Sequence, residues 1–299
     1  MRLLTTLAVV AATAATMLVT ETASATNRTL WVHGRNTGSG SGCSGGTPNG
    51  WDYWAGTAAV GVNSIPVNYD GRAYNSVSNP TVRKALSTNC KGSDVCYIAA
   101  HSNGGAQIGY AIDKFNNAAA CSGGDASLCG PWNIQWVATA GSAAGGTGLS
   151  SWGSWAMGDC LAGELQPGTI RGEYNHDSVG NQIYGYVYTH VGGDWETLTN
   201  AFISGNNDGV IGYDSSGHSR SSGSYDNGSI GGASKWNYTI AQFVDPNDCY
   251  TNSWFGCLSH SGHRRHYVSA SSDVQGWGGY ESWGGVVGAM NSFVNANAR

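Results

Sequence analysis

Short apolar runs alternate along this chain with glycine-rich polar stretches, and several runs are followed by apolar positions at helical spacing. Thr29-Leu30-Trp31-Val32 reads as a buried strand that ends at His33-Gly34-Arg35-Asn36. A glycine-rich loop runs to Gly50, and residues 51–59 read as a helix. Residues 64–69 (SIPVNY) form a second strand. Asn79-Pro80 has the chemistry of a helix start, with asparagine as cap and proline in the first turn. Val82, Ala85 and Leu86 then supply an inner face. Val95 to Ala100 is a third strand, and Ile108, Ala111, Ile112 and Phe115 after it fall on one side of a helix. Residues 133–138 (NIQWVA) and 184–190 (YGYVYTH) read as further strands, and one more is expected near residues 254–258. Trp283, Val286, Val287, Met290, Phe293 and Val294 mark a closing helix, while residues 215–224 read as a surface loop.

Strands alternating with helices predict an α/β fold, with a mostly parallel sheet covered by helices on both faces. Ligands of such sheets sit beyond the carboxyl ends of the strands. The turns after His33, Ala100 and Thr139 all lie at such ends, so one crevice can hold all three.

The N-terminus changes the picture of where the chain works. Met1-Arg2 precedes an apolar run from Leu3 to about Val19, followed by Ala23-Ser24-Ala25. This predicts a signal peptide over residues 1–25 and a single domain over residues 26–299. No later run is long enough to span a bilayer. The eight cysteines all lie beyond that segment, and an even count in an exported chain favours disulfides. Cys90–Cys96, Cys121–Cys129 and Cys249–Cys257 are close in sequence, which leaves Cys43–Cys160. Zinc is the competing reading, and no C-x-x-C pair supports it. A net charge of −5, with only 11% charged residues and no basic patch, argues against nucleic acid as a partner.

The chemistry gathers at Ala100-His101-Ser102-Asn103-Gly104-Gly105. A strand, a sharp turn carrying a serine, and a helix make the layout of a nucleophile elbow. The turn needs small residues two before and two after the serine, and Ala100 and Gly104 supply them. Glycine costs a helix about 1 kcal/mol against alanine. Two of them opening a helix therefore imply hard packing against the sheet or a close approach to substrate. His101 is expected to pack in the elbow, since its ring is badly placed to face the neighbouring hydroxyl.

A serine hydroxyl needs a base within hydrogen-bond reach, and the base needs an orienting carboxylate. Asn206-Asn207-Asp208-Gly209-Val210-Ile211 and Ser259-His260-Ser261-Gly262-His263 follow the serine in that order. Asp208 has a rival reading as an ordinary Asn-Asp-Gly turn, and Asp245 and Asp248 are alternative acids. Asp214 and Asp226 nearby raise calcium, but the spacing does not fit an EF-hand loop.

His33-Gly34 after the first strand, Ala-His-Ser-x-Gly-Gly at the elbow, Asn-Asp-Gly-Val-Ile, and Gly212 to His218 (GYDSSGH) together resemble a secreted bacterial lipase or esterase of the α/β-hydrolase superfamily. These landmarks span nearly the whole of residues 26–299. The resemblance implies a triad of Ser102, Asp208 and a late histidine. His260 fits through His-x-Gly, with His263 as the alternative base. It also implies an oxyanion hole made by the backbone N–H groups of Arg35 and Asn103. Arg35 departs from the apolar residue common at that position.

The expectation is therefore a secreted, monomeric serine hydrolase that cleaves carboxylic esters through an acyl-enzyme, with no cofactor and no metal. Acylglycerols, short-chain esters and polymeric esters are the candidate substrates. Residues 121–155 are mostly small or polar and make a poor apolar lid. Two other readings stand beside this one. The first is a serine peptidase or amidase on the same fold. The second is a non-catalytic, aromatic-rich binding module.

Overall fold

The computed structural model describes residues 24–35, 43, 46–47, 50–54, 60–117, 121, 125–150, 160–191, 203, 207–217, 235–240, 249–253, 256–260, 266 and 285–299. The expected signal segment lies almost wholly outside them. Six parallel strands form the central sheet: β1 Asn27–Val32, β2 Ser64–Val67, β3 Val95–His101, β4 Ile134–Ala140, β5 Val187–Val191 and β6 Trp236–Ile240. Their order is β2-β1-β3-β4-β5-β6, and every adjacent pair runs parallel. The order reverses at β1, which has β2 on one side and β3 on the other. The switch point of the sheet, where such folds bind their ligands, therefore lies between the carboxyl ends of β1 and β3. A separate antiparallel hairpin pairs β7 Cys249–Ser253 with β8 Gly256–His260.

The alternation of side chains along a strand feeds two cores. Leu30, Val32, Ile98 and Ala100 point to one face of the sheet, where they join Val82, Leu86, Ile108 and Ile112 of the helices before and after β3. Helix α1 is the single turn Gly50–Tyr53, α2 runs Asn75–Asn89, and α3 runs Asn103–Phe115. Trp31, Ala99, Trp136 and Ala138 point to the other face. There they meet Val286, Val287, Met290 and Val294 of the closing helix, Gly285–Asn297. Burying each of these large side chains contributes about 1.5–3 kcal/mol. Short helices between β4 and β5 include α4 Cys160–Glu164, α5 Pro167–Glu173 and α6 His176–Asn181. The closing helix is α7. Helices cover both faces of this parallel sheet, an α/β architecture, and a serine turn follows its strand β3. Among the described residues no helix is long and apolar enough to cross a membrane.

Three expected disulfides are present, Cys43–Cys160, Cys90–Cys96 and Cys121–Cys129. The side chains of Cys249 and Cys257 lie outside the described residues. Cys43–Cys160 spans 117 residues and ties the loop after β1 to α4. A crosslink of that span removes unfolded-chain entropy equivalent to about 5 kcal/mol in the loop-closure view.

Several elements depart from the sequence pattern. Helix α2 begins at Asn75 rather than Asn79, and Pro80 lies inside it. The cap is supplied from far away: the Asn75 N–H donates to the Glu164 carboxylate of α4. Asn79 does not cap; its amide donates to the backbone and side-chain oxygens of Gln107 on α3, at 2.9 and 2.7 Å. β5 starts at Val187, because Tyr184 and Gly185 donate to β4 carbonyls at 3.0 and 2.7 Å before the ladder begins. Ser215 and Ser216 are buried rather than on a surface loop. They belong to a 3-10 turn, Asp214–Ser216, and Arg171 of α5 donates to the Ser215 hydroxyl at 3.2 Å.

Glu173 closes α5 in a half-buried position. Burial, and then the charge of Glu164, lift its carboxyl from 4.5 to about 7. The folded state holds this proton more tightly than the unfolded chain, so its contribution to stability is complete below about pH 4.5 and is lost as pH rises through about 7. Glu173→Gln is expected to melt above the wild type at pH 8, with the gap closing towards pH 4.5. A gap in Tm that stays constant across that range would remove the titration of Glu173 as its cause.

Candidate active site

Ser102 stands between β3 and α3 with φ 53° and ψ −127°, a conformation that L-residues rarely adopt. Such strain persists only where the surroundings fix it. Here the Ser102 N–H donates to the Ala140 carbonyl at 3.0 Å. The Ser102 carbonyl accepts from Ala143 at 3.0 Å and from Gly105 at 3.1 Å. Both elbow glycines are explained by packing. A Cβ at Gly104 would run into the backbone carbonyls of Val32 and His33, and one at Gly105 into Ser142. The tight turn thus lets α3 start directly over the ends of β1 and β4.

Asp208 is 2% exposed and fully engaged. Its Oδ1 accepts from the N–H groups of Val210 at 3.0 Å and Ile211 at 2.7 Å. Its Oδ2 accepts from Nδ1 of His266 at 2.8 Å, and its backbone carbonyl accepts from the His266 N–H at 2.9 Å. The histidine is therefore held twice by one residue, across a sequence separation of 58. With the Nδ1 proton directed at Asp208, Nε2 is the basic nitrogen of His266. The His266 ring stacks against His101, the neighbour of Ser102, with ring centroids 4.6 Å apart.

Gly141 shows how closely these pieces fit. It follows β4 with φ +47°, and a Cβ there would stand 2.5 Å from Oδ2 of Asp208 and 2.6 Å from Nδ1 of His266. Gly141→Ala is therefore expected to force the acid–base pair apart while leaving the sheet in place. We expect kcat to fall by at least about 100-fold, with KM much less affected. Unchanged kcat in a folded Gly141→Ala variant would show that the pair is not needed for turnover.

The loop after β1 comes to the same place. A Cβ on Gly34 would lie 2.6 Å from the Ser102 Cβ and 2.6 Å from the Tyr53 hydroxyl, so only glycine lets this loop pass so close to the serine turn. The His33 carbonyl accepts from the Tyr69 hydroxyl, and the two rings stack with centroids 4.2 Å apart. Burial pushes His33 down to about 4, so it is a neutral structural histidine. Asn103 is the first residue of α3, where a backbone N–H has no partner within its own helix.

The sequence-predicted residues are thus distributed as follows. Ser102, Asp208, Gly34 and Asn103 come together at the carboxyl ends of the strands. His260 ends β8, opposite Cys249 in the hairpin register, and its side chain is outside the described residues. His263 is also outside them. The histidine held by Asp208 is His266, three positions beyond His263. No local motif marks it, because His-x-Gly points to His260. Its placement rests on a backbone bond between two distant loops. Among the described residues no group of three or more histidine, cysteine or carboxylate side chains is arranged to hold a metal.

No protein-family model matches the chain, and no curated sequence does. Solved structures similar to it include the metagenomic carboxyl esterase MGS0156, at 14% identity and a TM-score of 0.38 over 56% of this chain and 49% of that one. The phospholipase PlaB from Legionella pneumophila is similar at 14% identity and a TM-score of 0.42, over 64% of this chain and 45% of that one. The chain therefore spans about half the length of the solved proteins it is similar to.

Proposed function

We propose that this chain is an exported serine hydrolase that cleaves carboxylic esters through Ser102, His266 and Asp208. The observation that carries the reading is the Asp208–His266 pair, 2.8 Å between Oδ2 and Nδ1, packed against the strained serine turn through His101 and Gly141. Burial of Asp208 and its two backbone donors fix the carboxylate, and the carboxylate fixes the imidazole.

In this mechanism the Ser102 Oγ attacks the ester carbonyl while its proton passes to Nε2 of His266. Asp208 stabilises the imidazolium that forms. The carbonyl oxygen, now carrying negative charge, receives the backbone N–H groups of Arg35 and Asn103, each such donor contributing about 3 kcal/mol to the transition state. Collapse expels the alcohol, which takes the proton from His266 and leaves an acyl-Ser102. Water, deprotonated by the same histidine, then attacks the acyl carbon and releases the acid and the free serine. All groups required belong to the chain itself. Three disulfides suit an oxidising compartment, in keeping with export.

A fluorophosphonate probe followed by peptide mass spectrometry tests this reading. One adduct on Ser102 is expected, together with faster turnover of an ester than of the amide carrying the same acyl group. No adduct would leave the binding-module reading, and comparable amide turnover would favour a peptidase.

A further inference from the structure

We propose that His101 is a positioning residue for the base: its ring, packed between Tyr53 and Trp54, is the wall against which the imidazolium of His266 forms. The inference rests on the triad reading above. Three observations place the ring. His101 is 2% exposed, and its face meets the His266 ring with centroids 4.6 Å apart and planes tilted by 38°. Its Nδ1 is hydrogen-bonded to the Tyr53 hydroxyl at 2.6 Å. Its Nε2 is buried with no hydrogen-bond partner, so the contact with His266 is ring against ring and not a hydrogen bond.

The groups around the base divide the work. From the loop at Asp208 a carboxylate faces Nδ1 of His266, and from β3 the His101 ring faces its plane. His101 in turn is enclosed by Tyr53 and Trp54 at α1, with His33 after β1 within electrostatic range. Burial, and then His266 and His33, hold His101 far below the usual histidine range. Its ring is therefore uncharged when a proton arrives on His266. A cation forming over a neutral aromatic face is stabilised, whereas one forming beside a second imidazolium would be repelled. Tyr53 also lies against Gly34, so one phenol braces both the wall of the base and the loop that carries Arg35.

The test uses the full exported protein, with active sites counted by fluorophosphonate titration. His101→Leu and His101→Asn remove the ring and differ in polarity, so that a folding failure in one does not end the experiment. His101→Phe restores a neutral ring without the bond to Tyr53. We expect the ringless variants to lose about tenfold in kcat/KM on the plateau, and the midpoint of its acid limb to move to lower pH by about one unit. Their rates then converge with the wild type at the acid end, because the imidazolium is destabilised equally in the transition state and in the resting protonated enzyme. His101→Phe should recover most of both losses. A uniform loss at every pH, with the limb unmoved, would reduce His101 to packing and overturn the proposal. So would ringless variants that match the wild type. His266→Ala run alongside separates the two readings: if it retains activity the triad itself is wrong, and if it is inactive while the His101 variants are silent, only this proposal fails.

Discussion

Ser102→Ala is expected to lower kcat for ester hydrolysis by roughly 10⁶, to the level of the residual machinery. The physical reason is narrow. The substitution removes one oxygen and nothing else, and that oxygen makes no side-chain cap bond to α3. The folded state loses no packing, and the positive φ strains alanine as much as serine. Stability should therefore stay within about 0.5 kcal/mol of the wild type. Ser102→Gly sharpens the test. It too is inactive, but glycine accepts φ 53° without a Cβ penalty, so it should melt above Ser102→Ala by the equivalent of about 1 kcal/mol. Measured together, kcat and Tm separate the two roles of the position. An alanine variant that keeps more than about a hundredth of the wild-type rate sinks the nucleophile assignment. A glycine variant that melts below alanine leaves the nucleophile intact but denies the strain.

The parts of the fold readable in the sequence are those decided by neighbours in the chain. Val95–His101 and Asn103–Phe115 were legible because a β-rich run, a small-residue turn and an apolar stripe adjoin one another. The closing helix was legible for the same reason, since Val286, Val287, Met290 and Val294 repeat at helical spacing and all reach the core. The start of α2 was not, because its cap comes from Glu164, 89 residues away, and Pro80 sits where a local rule would open a helix. The buried turn at Ser215 hides behind a serine-rich sequence that reads as solvent-facing. It is buried only because Arg171 and the Gly145 carbonyl reach its hydroxyl from another layer, at 3.2 and 3.4 Å.

The candidate site divides along the same line. Ser102, Gly104 and Asp208 announce themselves through turn chemistry that is local: a strand-to-helix elbow, and a carboxylate that bonds the N–H groups two and three residues ahead. Gly34 and Gly141 are explained only by atoms from distant parts of the chain, which occupy the space a side chain would need. The histidine carries no such signature. An imidazole in a loop is poorly determined by its flanking residues, and what fixes His266 is a carbonyl and a carboxylate 58 positions earlier.

His266→Ala is accordingly the substitution expected to match Ser102→Ala, with kcat lowered by about 10⁶. Removing either member of a nucleophile–base pair stops the same step, so the double variant should be little worse than either single one. Asp208→Asn should fall by about 10⁴, since an amide can donate to the imidazole and hold the wrong tautomer. Because Asp208 binds the histidine through both its side chain and its backbone carbonyl, the asparagine variant should keep the loop in place and lose mainly kcat. His260→Ala and His263→Ala provide the contrast. If the base is the histidine bonded to Asp208, each retains most of its rate. Loss of several powers of ten in His260→Ala, with His266→Ala active, would return the role to the His-x-Gly histidine and leave the Asp208–His266 bond a structural tie. Rescue by added imidazole decides between chemistry and folding. The space vacated in His266→Ala lies against the Asp208 carboxylate and the His101 ring, so a free imidazole bound there can accept the Ser102 proton. Rescue should therefore appear in His266→Ala and be absent in the His266→Ala/Ser102→Ala double variant, where there is no hydroxyl to deprotonate.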